Sequence, residues 1–332
     1  DLSPSQIRTL EDMTGATVID RSALILDIFA QRAKTREGRL QVELAQYQYL
    51  LPRLSGMGRS LSRQGGGIGT RGPGETRLES DRRHIRTRIS RLQQELKEVR
   101  RVRGVQRQLR EKNSVPVVAL IGYTNAGKST LLNALTGAGI PANNRLFDTL
   151  DTTTRRLTVS DTLDVLLSDT VGFIAKLPHN LVEAFQATLE ELQYADLLLH
   201  VIDASDPDRE AHMEVVEKLA AELAPQGVPI IEVYNKADLV EPQLIPIGEN
   251  RVAISASEGR GLDALLRRME KNLDTGVKRV VLKLPYSAAG EVDRIHREGK
   301  VFSSEYENDG ILVDAALSRE MQGRYRAYIQ SE

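Results

Sequence analysis

The 332-residue chain has 45 Lys and Arg, 46 Asp and Glu, 40% hydrophobic residues and no cysteine. Its length suits two or three domains, and the lack of cysteine excludes disulfides, thiolate metal sites and cysteine nucleophiles. The longest apolar runs, at residues 115–121 and 197–202, are too short to span a bilayer. No signal peptide is evident either, so we expect a cytoplasmic protein without membrane insertion.

The formal net charge of -1 conceals a strongly basic segment. Residues 53–112 contain seventeen Lys or Arg, fifteen of them Arg, against six acidic residues. Because guanidinium groups suit phosphate, this excess indicates a polyanionic partner such as RNA. A solvated helical surface can have the same composition, and charge alone does not decide between the two.

Two apolar heptad seams flank a glycine-rich segment. The first seam contains Leu40, Leu44, Tyr47, Leu51 and Leu54, and the second contains Ile85, Ile89, Leu92, Leu96 and Val99. Pro52 is expected to bend or break the first helix. Residues 64–75 are too rich in glycine for regular structure, so we predict two antiparallel helices joined by a flexible basic loop. Residues 67–72 match G-x-G-x-x-G, but a helical pattern precedes them where a dinucleotide fold needs a strand.

After residue 114, short apolar strands alternate with helices. This alternation predicts a largely parallel sheet covered on both faces, in a domain that spans residues 114–275. The tail, residues 276–332, has the pattern strand, helix, strand, strand, helix. The predicted fold is an α/β P-loop NTPase domain of the GTPase type, with an N-terminal antiparallel helical arm at residues 36–113 and a small C-terminal α+β domain.

A phosphate-binding loop lies between the first predicted strand of this domain and its first helix. The loop fits G-x-x-x-x-G-K-[ST], and its residues, with the threonine that follows, are Gly122, Tyr123, Thr124, Asn125, Ala126, Gly127, Lys128, Ser129 and Thr130. Backbone amides are expected to surround the phosphates while Lys128 reaches the β and γ oxygens and Ser129 ligates Mg²⁺, the predicted cofactor. The motif does not choose between ATP and GTP.

The motif Asn235-Lys236-Ala237-Asp238, at the end of another predicted strand, favours guanine. Asp238 can accept hydrogen bonds from N1–H and the N2 amine of guanine, whereas adenine lacks that pair of donors. Asn235 and Lys236 are expected to brace the loop and cover the base. Ser255-Ala256-Ser257, after the next strand, offers backbone amides to the guanine O6. The predicted substrate is therefore GTP.

Two further segments fit the nucleotide-sensing switches of a GTPase. In Asp169-Thr170-Val171-Gly172, Asp169 is expected to hold Mg²⁺ through a water while the Gly172 amide meets the γ-phosphate. The candidate first switch is the segment Phe147-Asp148-Thr149-Leu150-Asp151-Thr152-Thr153-Thr154. We favour Thr149 as the residue that completes the Mg²⁺ shell, with Thr153 as the alternative.

The residue after Gly172 bears on the rate of hydrolysis. Many GTPases have a glutamine there that orients the attacking water, and Phe173 cannot form that hydrogen bond. Catalysis would depend mainly on Lys128, Mg²⁺, Thr149 and the backbone amides, Gly172 included, so we expect slow basal turnover and a partner or another residue that completes the site. Alternatively, Phe173 packs against the switch helix, which is compatible with the same expectation.

The combined motifs resemble the HflX family of GTPases. The resemblance is carried by the phosphate loop, by residues 147–151 and 169–174, and by Asn235-Lys236-Ala237-Asp238. Residues 18–21, 24–33 and 66–76 are similar to the helical N-terminal region of that family, so the resemblance covers residues 1–275. Members usually begin with an α/β subdomain, which implies that residues 1–35 are its remnant and that the chain is a fragment.

The resemblance implies a ribosome-associated GTPase that binds the large ribosomal subunit and its RNA and dissociates stalled or idle ribosomes. It also implies that the glycine-rich loop reaches toward the peptidyl-transferase region. A basic helical arm with a flexible tip suits an RNA surface, and the candidate RNA contacts are Arg63, Arg71, Arg77, Arg82 and Arg83. We expect the protein to be a monomer.

Two other functions are compatible with these residues. The first is an RNA-binding ribosome-assembly factor whose affinity is regulated by the nucleotide. The second is a signalling switch that recruits proteins through the heptad arm, in which case the arginines of the arm could be neutralised without loss of the partner.

Overall fold

A computed structural model describes residues 2–54, 77–111, 115–137, 139, 153–170, 172–173, 190–273 and 276–330. The glycine-rich loop, most of the candidate first switch and Val171 therefore lie outside the described residues. Among the helices that are described, none has an apolar stretch long enough to cross a membrane.

The chain begins with three helices whose first turns are capped by polar side chains. They are α1 (Pro4–Thr14), α2 (Arg21–Arg32) and α3 (Arg36–Leu50). The side chain of Asp20 accepts a hydrogen bond from the Ala23 amide at 2.8 Å, and that of Thr35 accepts one from the Gly38 amide at 2.9 Å. These bonds satisfy amides that the helix itself leaves without a partner, so the short polar residues fix where α2 and α3 begin.

Helix α4 (Arg77–Glu111) packs antiparallel to α3 along the predicted seam. Leu40 and Leu44 of α3 are buried together with Leu92 and Leu96 of α4. Ion pairs join Arg36 to Glu95 and Glu43 to Arg88. The residue numbers rise along α3 while those of the partners fall along α4, so the two helices are antiparallel. Helix α3 ends at Leu50 and a short 3₁₀ turn at Leu51–Arg53 follows, which places the break at Pro52 as predicted.

The central sheet has six strands in the order β2-β3-β1-β4-β5-β6. The strands are β1 (Val117–Gly122), β2 (Thr153–Ser160), β3 (Leu163–Asp169), β4 (Leu197–Asp203), β5 (Ile230–Asn235) and β6 (Arg251–Ala253). All neighbouring strands are parallel except β2, which pairs antiparallel with β3. Within the described residues, this region also contains the helices α5 (Lys128–Thr136), α6 (Arg209–Leu223) and α7 (Leu262–Asn272). The sheet therefore confirms the predicted P-loop architecture.

The two faces of this sheet are covered in different ways. Helices α5 and α7 pack on one face around residues such as Leu120 and Val233. On the other face, α6 shares a single buried cluster with α2 and α3, in which Phe29 and Val42 pack with Ala119 and Phe173. The helices of the N-terminal region therefore form part of the core of the nucleotide-binding fold, an arrangement that the sequence does not predict.

The C-terminal elements occur in the predicted order. They are β7 (Lys278–Leu284), α8 (Gly290–Glu298), β8 (Lys300–Glu307), β9 (Gly310–Leu317) and α9 (Arg319–Arg324), with sheet order β7-β9-β8. This unit contacts the β2–β3 turn, where Arg279 pairs with Asp161 at 3.0 Å and Lys300 donates to the Asp161 carbonyl at 2.8 Å. The domain limits given above stay a prediction.

Candidate nucleotide-binding site

The phosphate loop connects β1 to α5 and encloses a buried lysine. The Lys128 side chain donates hydrogen bonds from Nζ to the carbonyl oxygens of Gly122 and Tyr123, at 3.0 and 2.9 Å. Burial lowers the pKa of Lys128 to about 8, although the neighbouring Asp169 carboxylate acts in the opposite direction. The loop therefore holds a cation that is poorly solvated and that gains from an approaching anion.

Two glycines of this loop have no room for a side chain. Gly122 has a φ of 153° and a Cβ there would overlap the carbonyl oxygen of Val201. Gly127 has a φ of 96° and a Cβ there would overlap the side-chain amide of Asn235. The loop thus packs directly on β4 and on the guanine motif, which explains why these two positions are glycine.

The side chains proposed to hold Mg²⁺ meet at the end of β3. Ser129 donates from Oγ to Oδ2 of Asp169 at 2.8 Å, and Asp169 is 1% exposed. A hydroxyl and a carboxylate oxygen are the hard ligands that Mg²⁺ prefers, so this donor set fits the ion. Thr149 lies outside the described residues, while its alternative, Thr153, is the first residue of β2 and pairs with Asp169 across the β2–β3 ladder.

The second switch runs alongside the phosphate loop. The Phe173 amide donates to the Gly122 carbonyl at 3.1 Å, and the Phe173 carbonyl accepts from the Thr124 amide at 2.8 Å. A Cβ at Gly172 would lie 2.9 Å from Cα of Thr124 and 3.1 Å from Nζ of Lys128. Gly172 is therefore the switch residue that lies beside the cation, as its proposed contact with the γ-phosphate requires.

The side chain of Phe173 is 3% exposed and belongs to the core cluster formed with α2, α3 and α6. It is packed among apolar side chains of these helices and of β1. The described members of this cluster come from α2, α3, α6 and β1. Whether it also packs on the switch helix lies outside the described residues.

The guanine motif is joined to the phosphate loop by one side chain. Asn235, 3% exposed, donates from Nδ2 to the Ala126 carbonyl at 2.9 Å and accepts the Ala256 amide at Oδ1 at 3.0 Å. It therefore links the loop that would hold phosphate to the segment that would hold guanine. Lys236 has a φ of 60° and donates from Nζ to Asp203 Oδ2 at 2.6 Å. Asp203, at the end of β4, is a partner that the sequence does not predict, because nothing local marks it.

Asp238 is exposed at the mouth of the site, whereas Ser255 behind it is buried. The Ser255 hydroxyl holds the pKa of the Asp238 carboxyl below its usual range, so the carboxylate is ionised at neutral pH. The Ala237 amide donates to the Ile254 carbonyl at 3.0 Å, and the hydroxyls of Ser255 and Ser257 lie 3.3 Å apart. The bond from Ala237 holds the segment proposed to bind guanine against the strand end that precedes Ser255.

Comparison with known proteins gives this arrangement a family. Three families match successive parts of the chain: "GTP-binding GTPase N-terminal" at residues 1–30, "GTP-binding GTPase Middle Region" at 32–110 and "50S ribosome-binding GTPase" at 117–236. The GTPase HflX of Caldanaerobacter subterraneus subsp. tengcongensis is 52% identical over all of this chain and 77% of that protein. The GTPase HflX of Escherichia coli K12 is 47% identical over 93% of this chain and 74% of that protein. The chain belongs to the HflX family of GTPases.

A solved structure has the same type of fold. The complex of SsGBP with GDP superimposes with a TM-score of 0.50 and 25% sequence identity, over 82% of this chain and 78% of that one. Membership of the HflX family, which is ribosome-associated, together with the P-loop domain, makes the chain a GTP-hydrolysing enzyme. The assignment of individual residues to phosphate, metal and base stays a proposal, supported by the contacts above.

The arginines predicted to contact RNA are only partly within the described residues. Arg63 and Arg71 lie outside the described residues, and Arg77 is the first residue of α4. Arg82 is half-buried and Arg83 is exposed. Other arginines of α4 pair with acids: Arg88 with Glu43 at 2.6 Å, and Arg91 with Glu95 at 3.2 Å.

Proposed function

We propose that this chain binds GTP and Mg²⁺ at the carboxyl edge of its central sheet and uses the GTPase cycle to dissociate stalled or idle ribosomes through the large subunit. The observation that carries the nucleotide assignment is the Asn235 side chain. Its two hydrogen bonds fix the distance between the Ala126 carbonyl and the Ala256 amide, so phosphate and base are recognised by one rigid frame.

For the triphosphate, the chain supplies a preformed cation and a ring of backbone donors. Lys128 can exchange its two carbonyl partners for β and γ oxygens, and in this buried setting the attraction is stronger than at the surface. Ser129 and Asp169 would hold Mg²⁺, with Thr149 as a third contributor. When bound, the ion supplies neutralisation of charge on the phosphate oxygens.

For the base, Asp238 supplies selectivity through an ionised carboxylate. Asp238→Asn should reduce GDP affinity about 100-fold, because the amide faces the N1–H and N2 amine of guanine with donors of its own. Xanthosine diphosphate has a carbonyl in place of the N2 amine and should bind this variant better than GDP does. Equal affinity of wild type and variant for GDP, measured by fluorescence titration, would remove Asp238 from the base site.

For hydrolysis, the buried side chain of Phe173 leaves the attacking water without an orienting group at this position. The chain provides charge stabilisation through Lys128 and backbone amides such as that of Gly172, but a further group has to position the water. Slow basal turnover and stimulation by the ribosome follow from this deficit.

For the ribosome, the arm supplies the long helix α4 with many arginines. The proposed RNA contacts are Arg63 and Arg71 on the glycine-rich loop and Arg77, Arg82 and Arg83 at the start of α4. Such guanidinium groups bind phosphate irrespective of sequence, as a ribosomal RNA surface requires.

The deciding experiment measures GTP turnover with and without purified large subunits, and ribosome dissociation with GTP or a non-hydrolysable analogue. We expect large subunits to stimulate turnover and both nucleotides to support dissociation, with GTP alone allowing release of the protein. If subunits bind in a nucleotide-dependent manner while ribosomes stay intact, the assembly-factor alternative is correct. If saturating large subunits leave turnover unchanged, the ribosomal assignment fails.

A further inference from the structure

A cavity of about 170 Å³ lies between the phosphate loop, the end of β4 and the first turns of α6. We call it the His200 cavity. Its walls include Tyr123, Thr124 and Asn125 of the loop, His200 of β4, and His212 and Met213 of α6. Lys128, Ser129, Asp169, Gly172 and Asp238 are not among its lining residues, whereas Tyr123–Ala126 of the phosphate loop are, so the cavity shares one wall with the nucleotide site.

One wall of this cavity is a pair of stacked rings. The Tyr123 and His212 rings are 3.6 Å apart between centroids with an interplanar angle of 13°. His212 is held in that orientation by Asp206, whose Oδ2 lies 2.7 Å from Nδ1 of the imidazole. With the Met213 thioether and the side chains of Val201 and Ile202, these rings present a flat and mostly apolar surface to an occupant.

The polar group inside the cavity is His200, which is 2% exposed. The part of the chain that the structure describes gives its ring no hydrogen bond. Burial lowers the pKa of His200 to about 4, so the ring is neutral and offers one donor and one acceptor. Because the ring lines the cavity and has no described protein partner, both of its nitrogens are available to an occupant of the cavity.

The charges around the cavity select among occupants. Arg209 is directed to the carbonyl oxygens of Ala204 and Leu244, at 3.3 and 3.2 Å. Two carboxylates, Asp203 and Asp206, also line the cavity, and Asp203 is paired with Lys236 at 2.6 Å. The two carboxylates and the two cations, Arg209 and Lys236, balance, so an anionic ligand would bring an uncompensated charge into the cavity, whereas a neutral ligand would not.

We propose that the His200 cavity is a second binding site, which takes a neutral, planar heteroaromatic small molecule with one hydrogen-bond donor and one acceptor. Its volume suits one ring or two fused rings, since an apolar cavity of about 150 Å³ accommodates benzene. The occupant stacks on the Tyr123–His212 pair and exchanges hydrogen bonds with His200. Because Tyr123, Thr124 and Asn125 also belong to the phosphate loop, it binds in energetic coupling with nucleotide.

The test titrates the full chain with benzimidazole, at a pH where that probe is neutral, and follows binding by calorimetry and ligand-observed NMR. We expect one site, and about ten-fold weaker binding to His200→Leu, which loses the hydrogen bonds but keeps an apolar filling. Met213→Trp, which fills the cavity from α6, should abolish binding. Glu217→Trp, on an exposed position of the same helix, is the matched control and should bind like wild type.

Three results would overturn the proposal: no binding up to the solubility of benzimidazole, undiminished binding to Met213→Trp, or equal affinity for a benzimidazole carboxylate. A GDP series separates this site from the nucleotide site. In the presence of GDP the apparent Kd of the probe should reach a plateau, as coupling requires; a rise without limit means that the probe occupies the nucleotide site. Because the probe is titrated without nucleotide first, a protein that failed to bind GDP would still test the cavity.

Discussion

Polar groups are buried at the edge of the sheet beside the phosphate loop. In the arm formed by α3 and α4, many polar groups are exposed. At the sheet edge, Lys128, Asp169 and Asn235 are each at most 6% exposed. Lys128 is held by hydrogen bonds within its own loop, and Asp169 and Asn235 by hydrogen bonds to segments that are distant in sequence. In the arm, buried leucines form the seam, while charges such as Arg91 and Lys97 are exposed. A buried network of hydrogen bonds specifies one geometry. Surface charges contribute little to stability and can exchange partners at low cost.

This difference separates recognition of a small ligand from recognition of a large polyanion. A nucleotide needs groups fixed to a fraction of an ångström, and the sheet edge provides them because segments distant in sequence are tied together there. An RNA surface needs charge density and reach, which an exposed helix with arginines provides without a fixed frame. Substitutions at the sheet edge should therefore have large effects, and substitutions on the arm small and additive ones.

The largest effect is expected for Gly127→Ala. The added methyl would overlap the Asn235 amide and break its hydrogen bonds to Ala126 and Ala256. Losing two buried hydrogen bonds costs about 2–5 kcal/mol, which corresponds to a GDP affinity reduced about 30-fold or more. Fluorescence titration with a labelled GDP measures the change.

Gly137→Ala is the matched control. Gly137 ends α5, also has a positive φ, of 65°, and a Cβ there meets no atom within 4 Å. It should cost about 1 kcal/mol of stability through backbone strain and leave GDP affinity unchanged. If both variants lose GDP affinity equally, backbone strain explains the loss, and the hydrogen bonds of Asn235 do not.

A second effect concerns the boundary between the two regions, where Phe173 of the switch packs among α2 and α3. Phe173→Gln should not raise basal GTP turnover, because this position faces apolar side chains. It should lower the free energy of unfolding by about 2–4 kcal/mol, since an amide is buried without a partner. Urea unfolding and single-turnover hydrolysis measure both quantities.

Phe173→Leu keeps the site apolar and is the control for lost volume, with a smaller loss of stability and unchanged turnover. A ten-fold faster basal rate in Phe173→Gln without loss of stability would mean that the side chain can reach the attacking water. The buried position of Phe173 would then not describe the catalytic state.

These sites also show how far the sequence predicts the molecule. The loop that surrounds Lys128, the seam of Leu40 and Leu92 and the order of the C-terminal elements follow from local spacing, so they could be read in advance. The burial of Phe173 against α2 and the contact of Lys236 with Asp203 could not, because they join segments that are distant along the chain. Motif spacing identifies the ligand, but only tertiary contacts show which side chains face it.

Burial lowers the pKa of Lys128 to about 8, so nucleotide affinity should depend on pH above that value. Phosphate oxygens stabilise the ammonium form, so the bound state has a higher pKa and binding takes up a proton above about pH 8. GDP affinity should be flat below that pH and fall above it, approaching about ten-fold for each pH unit. In Lys128→Arg the cation stays charged, so its affinity should lack this dependence whatever its absolute value. Parallel profiles for the two proteins would assign the titration to another group.

The smallest effects are expected on the arm. Replacing Arg82, Arg83 and Arg86 by alanine should weaken binding to ribosomal RNA a few-fold for each residue and reduce the slope of its salt dependence by roughly one unit for each phosphate that the arm no longer neutralises. Stability should change by less than about 0.5 kcal/mol, because these side chains contribute little to the seam.

Arg88→Ala is the control. Its guanidinium is bound to Glu43 through Nε and Nη2, at 2.9 and 2.6 Å, so the substitution should weaken the packing of α3 on α4 more than it weakens RNA binding. If Arg88→Ala and the triple variant lose the same RNA affinity per charge, the RNA responds to net charge alone, and the arm does not present particular arginines to it.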